Sequence, residues 1–288
     1  MVQKKKAKDI QEQQPDAVEP LQDELIEIPG EDIEHVEVIE ARSTNLDQWV
    51  PKTKLGKEVK AGLQKSIDPI LERGEAILEA EIVDYLIPTL KSELLLVGQA
   101  KGKFGGGQRR VFKQTQKKTQ EGNKPKFTTF AVVGDKEGHV GIGKGKAKET
   151  VPAREKALRN AKLNIMKIRR GCGSWQCNCK TPHSIPFIVT GKMGSVELTL
   201  IPAPKGTGLR VEKECQKLLD LAGIKDVWSK VKGQTGTKQN LLLACFAALQ
   251  SLTHVKLTQK EKELLAVTEG VYQFSSDESF DAMQRGDL

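Results

Sequence analysis

The sequence predicts an α+β protein in which two small domains lie between acidic terminal segments. Segments with helical apolar spacing alternate with short strand-like runs, first as helix, strands and helix, then as β, β, α, β and α. A stretch without periodicity separates the two series. Residues 1–45 contain 12 acidic and 5 basic side chains, and residues 257–288 contain 7 acidic and 3 basic ones. The basic excess is therefore carried by residues 46–256, which we expect to fold.

The first predicted domain covers residues 46–170. Apolar residues at helical spacing predict a helix over 75–87, which Pro88 ends. Four strand-like runs follow, at 94–97, 110–115, 127–133 and 139–142. From Pro152 a second helix places apolar side chains on one face, namely Ala157, Ala161, Ile165 and Ile168. This order is typical of a small α+β layer.

The second predicted domain covers residues 185–256. It follows residues 171–184, which contain cysteines, lack periodicity and are predicted to be a linker. The expected elements are two hairpin strands, a helix, a strand and a final helix, at 187–190, at 196–201, from Val211, at 227–231 and around 241–252. A single sheet covered by two helices is predicted.

The two terminal segments are predicted to be acidic and largely unfolded. Residues 1–45 have too little apolar and aromatic material to offset the entropy of ordering, which indicates a disordered arm. Residues 257–288 have a similar composition and indicate a tail, with a short helix near 260–267.

Composition favours a soluble cytoplasmic protein with a polyanionic partner. The five cysteines do not form the evenly spaced set of a secreted disulfide scaffold, which indicates a reducing compartment. The longest apolar run, 241–249, is less than half of the roughly 20 residues that cross a membrane, and no signal peptide is expected. The net charge of +8 conceals a charge of +19 within residues 46–256. Phosphates would neutralise such an excess, although a merely soluble basic surface is the alternative.

A glycine-rich basic loop is the first candidate for RNA binding. Residues 101–148 contain 13 lysines and arginines against 3 acidic residues. Glycine backbone can approach a phosphate closely, guanidinium groups bind phosphate in a forked geometry, and an aromatic ring can stack on a base. The predicted RNA-contacting residues are Lys101, Lys103, Phe104, Gly105, Gly106, Gly107, Gln108, Arg109, Arg110 and Lys113. The alternative is a flexible turn with solvated charges.

Two further glycine-containing segments have basic neighbours. Residues 138–145 nearly match the phosphate-binding loop of nucleotide hydrolases, but glycine replaces the hydroxyl residue and the next helix begins too late. We interpret the segment as a basic strand end, with Lys144, Lys146 and Lys148 as RNA-binding candidates.

A third loop leads from a strand into the helix at Val211. Its amides and its lysine could hold an anion near the helix amino terminus, and an ordinary strand-to-helix connection is the alternative. The candidates are Lys205, Gly206, Thr207 and Gly208.

The predicted linker contains a possible zinc site. Cys172, Cys177, Cys179 and His183 have the spacing C-x4-C-x-C-x3-H and offer the thiolate and imidazole ligands that zinc prefers. The tight C-x-C pair leaves free thiols as the alternative. Cys215 and Cys245 lie on apolar helix faces and are expected in the core. No other cofactor is expected, and no catalytic set surrounds any of the four histidines, so the protein is predicted not to be an enzyme.

Several short motifs together resemble one known family. They are Trp49-Val50-Pro51-Lys52-Thr53, the loop at 105–110, Gly141-Ile142-Gly143, the segment at 182–186 and the loop at 203–208. Over about residues 46–256 the chain closely resembles the universal small-subunit ribosomal protein five family, called protein two in eukaryotes. The cysteine loop is similar to that of the archaeal branch.

The resemblance implies a structural constituent of the small ribosomal subunit. It implies an amino-terminal domain similar to a double-stranded-RNA-binding domain and a carboxy-terminal domain of the family's own fold. It also implies binding to small-subunit rRNA, proximity to messenger RNA where it enters the subunit, small-subunit proteins four and eight as neighbours, and a role in assembly and decoding accuracy. The family's rRNA contacts would correspond to residues 104–110 and 205–208. A stand-alone RNA-processing factor with the same fold is the alternative.

Overall fold

The computed structural model describes residues 49–100 and 109–270, which form an α+β structure. The helices in these residues are α1 (Lys54–Lys60), α2 (Asp68–Glu72), α3 (Ala80–Leu86), α4 (Thr150–Leu163), α5 (Lys213–Leu221), α6 (Lys238–His254) and α7 (Gln259–Leu264). The strands are β1 (Lys91–Leu94), β2 (Lys113–Thr119), β3 (Gly122–Gly134), β4 (His139–Ala147), β5 (Ile165–Lys167), β6 (Arg169–Arg170), β7 (Val189–Met193), β8 (Val196–Pro202), β9 (Leu209–Arg210), β10 (Val227–Lys232) and β11 (Thr268–Glu269). Among these helices, none is long and apolar enough to span a membrane.

The first sheet has the strand order β1-β3-β4-β5, and β2 pairs with residues 122–128 of β3. All of these pairings are antiparallel. Helix α4 packs directly on β4, where three glycines face it. A Cβ atom on Gly143 would lie 2.2 Å from the backbone oxygen of Ala157, and Gly141 and Gly145 are equally crowded. The glycine run therefore serves helix–strand packing, which agrees with its interpretation as a strand rather than a nucleotide-binding loop.

Helix α4 ends earlier than its apolar spacing predicts. It was expected to continue through Ile165 and Ile168, but it ends at Leu163. The side chain of Asn164 donates to the carbonyl oxygen of Ile142 at 3.1 Å, and Ile165 then pairs with Gly141 as the start of β5. Both isoleucines are still buried, Ile165 in the core beneath α4 and Ile168, just beyond β5, in the core shared with the second domain.

The second sheet has the strand order β7-β8-β10-β9. Alternation along β8 places Val196, Leu198 and Leu200 in the core, as their period of two predicts. Helices α5 and α6 contribute the rest of this core, including Cys215 and Cys245, which are fully buried. The predicted core positions of these two cysteines are confirmed.

The two sheets share one core. Phe130 and Val132 of β3 belong to the same apolar cluster as Leu198, Leu218 and Leu249 of the second domain. The alternate residues of β3, such as Ala131 and Val133, face the other way and pack with α4 and with the helices that precede β1. The two domains therefore meet through one face of the first sheet.

The segment before β1 contains two short helices that the sequence did not predict, α1 and α2. The predicted helix over 75–87 begins only at Ala80, because Glu79 is extended and binds the chain upstream. Its carboxylate accepts hydrogen bonds from the Trp49 indole at 3.0 Å and from the backbone amides of Lys52 and Thr53. These bonds explain why the Trp49–Thr53 motif is folded.

Part of the predicted acidic tail belongs to the folded structure. Thr258 and Glu261 form a reciprocal capping box at the start of α7, which overlaps the expected helix near 260–267. Strand β11 pairs with β6, and Arg169 binds Glu269 at 2.8 Å. The charge boundary at residue 257 therefore does not mark the end of the fold, because acidic residues here pair with the basic β6.

The predicted linker at 171–184 is a closed loop rather than an extended spacer. The backbones of Gly171 and Ser184 exchange two hydrogen bonds of 2.9 Å each, so the two ends of the loop are adjacent. The amide of Cys172 also donates to the carbonyl oxygen of Leu265. The predictions for residues 1–45 and 271–288 concern residues outside the described part of the chain.

Candidate functional site

One face of the first sheet carries exposed lysines where β2 begins and β4 ends. Directly paired residues of antiparallel strands point to the same face, and Lys113, Thr128 and Lys146 are paired in one row across β2, β3 and β4. Lys144 is paired with Phe130, and its Nζ atom lies 5.8 Å from the centre of that ring. Three of the predicted lysines are thus brought together on the face that, nearer the core, meets the second domain.

The ends of the predicted glycine-rich loop come together beside this face. Ala100 pairs with Arg109, and the amide of Gly98 donates to the carbonyl oxygen of Arg110 at 2.7 Å. Arg109 and Lys113 line a cleft of about 440 Å³, which is also lined by residues 236–240 at the start of α6. The remaining candidates of this loop, Lys101, Lys103, Phe104, Gly105, Gly106, Gly107 and Gln108, lie outside the described residues.

Two amides of the loop at 203–208 are bonded within the protein. The amide of Thr207 donates to the carbonyl oxygen of Pro204, and the amide of Gly208 donates to Asp226 Oδ1 at 2.8 Å. Helix α5 begins only at Lys213, and the carboxylate of Glu212 caps it. A backbone carbonyl thus occupies the Thr207 amide and a carboxylate occupies the Gly208 amide, so neither is free to bind an anion. The exposed Lys205 side chain remains available for binding.

The cysteine loop gathers its four candidate ligands. The sulfur atoms of Cys172, Cys177 and Cys179 and a ring nitrogen of His183 all lie within 4.8 Å of one another. The sulfurs of Cys172 and Cys179 are 3.6 Å apart, and Cys177 Sγ is 3.7 Å from His183 Nε2. Loop closure through Gly171 and Ser184 brings these groups together, although the first and last are eleven positions apart in the chain.

The charges in this cluster favour a cation. A hydrogen bond from the backbone amide of Lys205 lowers the pKa of Cys177 to about 6. Burial and the neighbouring thiols Cys179 and Cys177 raise the pKa of Cys172 to about 12. Adjacent thiols oppose each other's ionisation, so the full set of thiolates needs a positive ion at its centre. The donor set therefore fits zinc, which binds thiolate and imidazole in a closed tetrahedral site.

A buried aspartate outside the loop orients its histidine. Asp226 Oδ2 lies 2.8 Å from His183 Nδ1, and both side chains are buried. A carboxylate only accepts hydrogen bonds, so Nδ1 carries the proton and Nε2 faces the sulfurs as an acceptor. A carboxylate behind a ligating histidine is a common feature of zinc sites. Asp226 is 43 positions from His183 in the chain, so no spacing rule could have identified it.

The fold and the exposed basic face define a nucleic-acid-binding protein of two α+β domains. The family model described as "Ribosomal protein S5, N-terminal domain" matches residues 107–169, and that described as "Ribosomal protein S5, C-terminal domain" matches residues 191–262. The chain belongs to the ribosomal protein S5 family.

Curated relatives carry one common name, "Small ribosomal subunit protein uS5". The protein from Nanoarchaeum equitans is 48% identical over 226 residues, which cover 78% of this chain and 97% of that protein. The Methanocaldococcus jannaschii protein is 45% identical with the same coverage, and the Pyrobaculum calidifontis protein is 47% identical over 74% of this chain and 98% of its own length. The predicted family is confirmed. These names give no support to a stand-alone RNA-processing factor.

Proposed function

We propose that this protein is a structural, non-enzymatic constituent of the small ribosomal subunit that binds small-subunit rRNA. The observation that carries the proposal is the row of exposed lysines beside the cleft at Arg109, in a chain of this family. Lysine and arginine side chains on one face neutralise phosphates, and such contacts supply much of the affinity for nucleic acid. The RNA-binding residues of this proposal are those predicted from the sequence, except that the amides of Thr207 and Gly208 are bonded within the protein, and Lys205 contributes its side chain.

We also infer finer features of this role. The order α3, four strands (β1 to β4) and α4 supports a first domain similar to a double-stranded-RNA-binding domain. Family resemblance supports a cytoplasmic, ribosome-bound location near the channel where messenger RNA enters, small-subunit proteins four and eight as neighbours, and an influence on assembly and decoding accuracy.

The test of rRNA binding replaces the two arginines at the base of the glycine-rich loop. Arg109→Ala with Arg110→Ala should weaken binding to small-subunit rRNA by a few kcal/mol, because each charge-assisted phosphate contact contributes about 1–3 kcal/mol. Lys57→Ala with Lys65→Ala, which removes two exposed charges outside the sheet, is the control. Equal incorporation of both variants into reconstituted subunits would contradict the proposal.

We further propose that Cys172, Cys177, Cys179 and His183 bind one structural zinc ion. The close sulfur and nitrogen atoms support it, as does the aspartate behind the histidine. Purified protein should contain about one zinc per chain with zinc–sulfur distances of about 2.3 Å, and Cys177→Ser should release the metal. Cys245→Ala removes a thiol from the core and should leave the zinc content unchanged. Much less than one zinc per chain in protein purified without a chelator would refute the site.

A further inference from the structure

Two sulfur atoms of the cysteine loop lie at a separation that suits two different kinds of bond. The sulfurs of Cys172 and Cys179 are 3.6 Å apart. Two sulfur ligands of one tetrahedral zinc ion, each about 2.3 Å from the metal, are about 3.8 Å apart. A disulfide bond has a length of about 2.05 Å, so one side chain must move by about 1.5 Å to form it. The same pair can therefore share a metal ion or bond to each other.

The two sulfurs differ in their access to solvent. Cys172 is only 7% exposed, and its backbone amide donates to the carbonyl oxygen of Leu265. Cys179 is half-buried and lies between the exposed residues Asn178 and Lys180. Lys180 has a φ of +51°, so a change in this turn does not remove a favourable backbone conformation at that position. A small oxidant from solvent thus reaches Cys179 first, with Cys172 as a held partner behind it.

The third cysteine of the loop is occupied by other contacts. Cys177 Sγ is 3.7 Å from His183 Nε2, and the backbone amide of Lys205 donates a hydrogen bond to the same sulfur. A bond between Cys177 and either of the other sulfurs would pull it away from both groups. The geometry therefore favours the pair of Cys172 and Cys179 and leaves Cys177 as a free thiol.

We propose that a hydroperoxide converts Cys172 and Cys179 into a reversible disulfide, and that this bond expels the zinc ion from the cysteine loop. The inference rests on the proposed zinc site and adds a redox response to its structural role. After oxidation only Cys177 and His183 remain as ligands. Two ligands do not form the closed four-coordinate site of a structural zinc ion, so the metal leaves.

The oxidation proceeds in two balanced steps. The thiolate of Cys179 attacks one oxygen of hydrogen peroxide, the O–O bond breaks, and hydroxide leaves with the electron pair, which gives a sulfenic acid on Cys179. The thiolate of Cys172 then attacks that sulfur, the S–O bond breaks, and a second hydroxide leaves. Each cysteine has lost one electron and the peroxide has gained two. Zinc has no redox chemistry of its own and departs as the hydrated divalent ion.

The first measurement follows the metal in the full-length chain. The protein is reduced, loaded with zinc and treated with about one equivalent of hydrogen peroxide, and a chromophoric chelator too weak to remove zinc from untreated protein reports the released ion. We expect the loss of about one zinc per chain, and dithiothreitol with added zinc should restore the site. Zinc that stays bound under excess peroxide, or that cannot be reloaded after reduction, would overturn the proposal.

The second measurement identifies the bonded pair without any variant. Trypsin cleaves after Arg170 and Lys180, so one peptide contains all three cysteines of the loop. Free thiols are alkylated in the oxidised protein, the disulfide is reduced, and the released thiols are alkylated with a heavier form of the reagent. Cys177 should carry the light label, and Cys172 and Cys179 the heavy one. A heavy label on Cys177, or sulfinic acid in place of a disulfide, would refute the assigned pair.

Variants test the order of the two steps. Cys172→Ser should accumulate the sulfenic acid on Cys179, which a carbon nucleophile specific for sulfenic acids labels, whereas Cys179→Ser should lose both this label and the disulfide. The opposite pattern would show that the buried sulfur reacts first and would contradict the proposed access. Cys245→Ala is the control, because this thiol is fully buried in the core, and the variant should release zinc as the wild type does.

The failure of the zinc site and the failure of the redox pair give different results. If reduced protein purified without a chelator holds no zinc, the proposed metal site fails, and the labelling of metal-free protein still decides whether Cys172 and Cys179 form a disulfide. If zinc is bound but peroxide gives no disulfide, the redox proposal alone is overturned.

Discussion

Asp226 connects the cysteine loop to the loop at 203–208, so its replacement should disturb both. Its Oδ2 accepts from His183 Nδ1 and its Oδ1 accepts from the amide of Gly208, each at 2.8 Å. The side chain is only 5% exposed, so water cannot replace these bonds readily. Asp226→Ala leaves two buried donors without an acceptor. Each costs about 1–3 kcal/mol, and we expect the free energy of unfolding to fall by about 2–6 kcal/mol.

Asp226→Asn tests the same bonds with almost no change in volume. His183 and Gly208 contact different oxygens of the carboxylate, and in asparagine an NH2 group replaces one of them, so only one of the two bonds can be kept. The expected loss in the free energy of unfolding is therefore about half as large, about 1–3 kcal/mol. Because the carboxylate also orients the imidazole, the affinity for zinc should fall by about 10- to 100-fold.

The assay combines urea denaturation with competition for zinc by a chromophoric chelator. Asp220→Asn is the control, since Asp220 forms an exposed ion pair with Lys136 that should contribute at most about 1 kcal/mol. A zinc affinity of Asp226→Asn within twofold of the wild type would refute the orienting role of the carboxylate. Unchanged stability of Asp226→Ala would refute the account of its hydrogen bonds.

Two other predictions concern the first domain. Gly143→Ala should destabilise the fold by at least about 1–3 kcal/mol in urea denaturation, because the new Cβ would lie 2.2 Å from the backbone of Ala157; stability equal to the wild type would contradict this packing. Burial lowers the pKa of His139, but hydrogen bonds and charges from Asp135 and Asp68 outweigh it and raise that pKa above 6.5. The resulting stabilisation is complete below about pH 6.5 and is lost as the pH rises through the pKa of His139 in the folded protein. The wild type should therefore lose stability in this range and His139→Gln should not. Urea midpoints that change with pH in the same way for both proteins would refute this.

Local sequence signals predicted most elements of the fold. The alternation of Val196, Leu198 and Leu200 is a property of the strand itself, and it correctly predicted β8. Element ends were less predictable because distant partners determine them. Leu96, for example, was expected within a strand, but its amide donates to the buried carboxylate of Glu214 in α5. Composition likewise failed at residues 257–270, where pairing with β6 outweighs the acidic character of the segment.

The candidate sites show the same difference between features with a local sequence signal and features that depend on distant partners. The four candidate zinc ligands lie within twelve residues, and their chemistry and spacing allowed the prediction that they form one cluster, with free thiols as the alternative. Asp226 acts on that site from the segment just before β10, and its other carboxylate oxygen accepts from the amide of Gly208. Such roles depend on tertiary structure and have no local pattern. The lysines of the β2–β3 hairpin show a partial pattern in the sequence, since Lys124 and Lys126 alternate with uncharged residues. Only the strand register shows that Lys117 shares their face.

The register of the β2–β3 hairpin also affects how its exposed lysines can bind RNA. A two-stranded hairpin alone is at best marginally stable in water, and opposed lysines weaken it further. Here β3 is one strand of 13 residues, whose inner half is buried between two cores and whose outer half carries Lys124 and Lys126. The buried half holds the direction and the register of the exposed half. The lysines are thus positioned before RNA arrives, so less conformational entropy is lost on binding than with lysines on an unstructured loop.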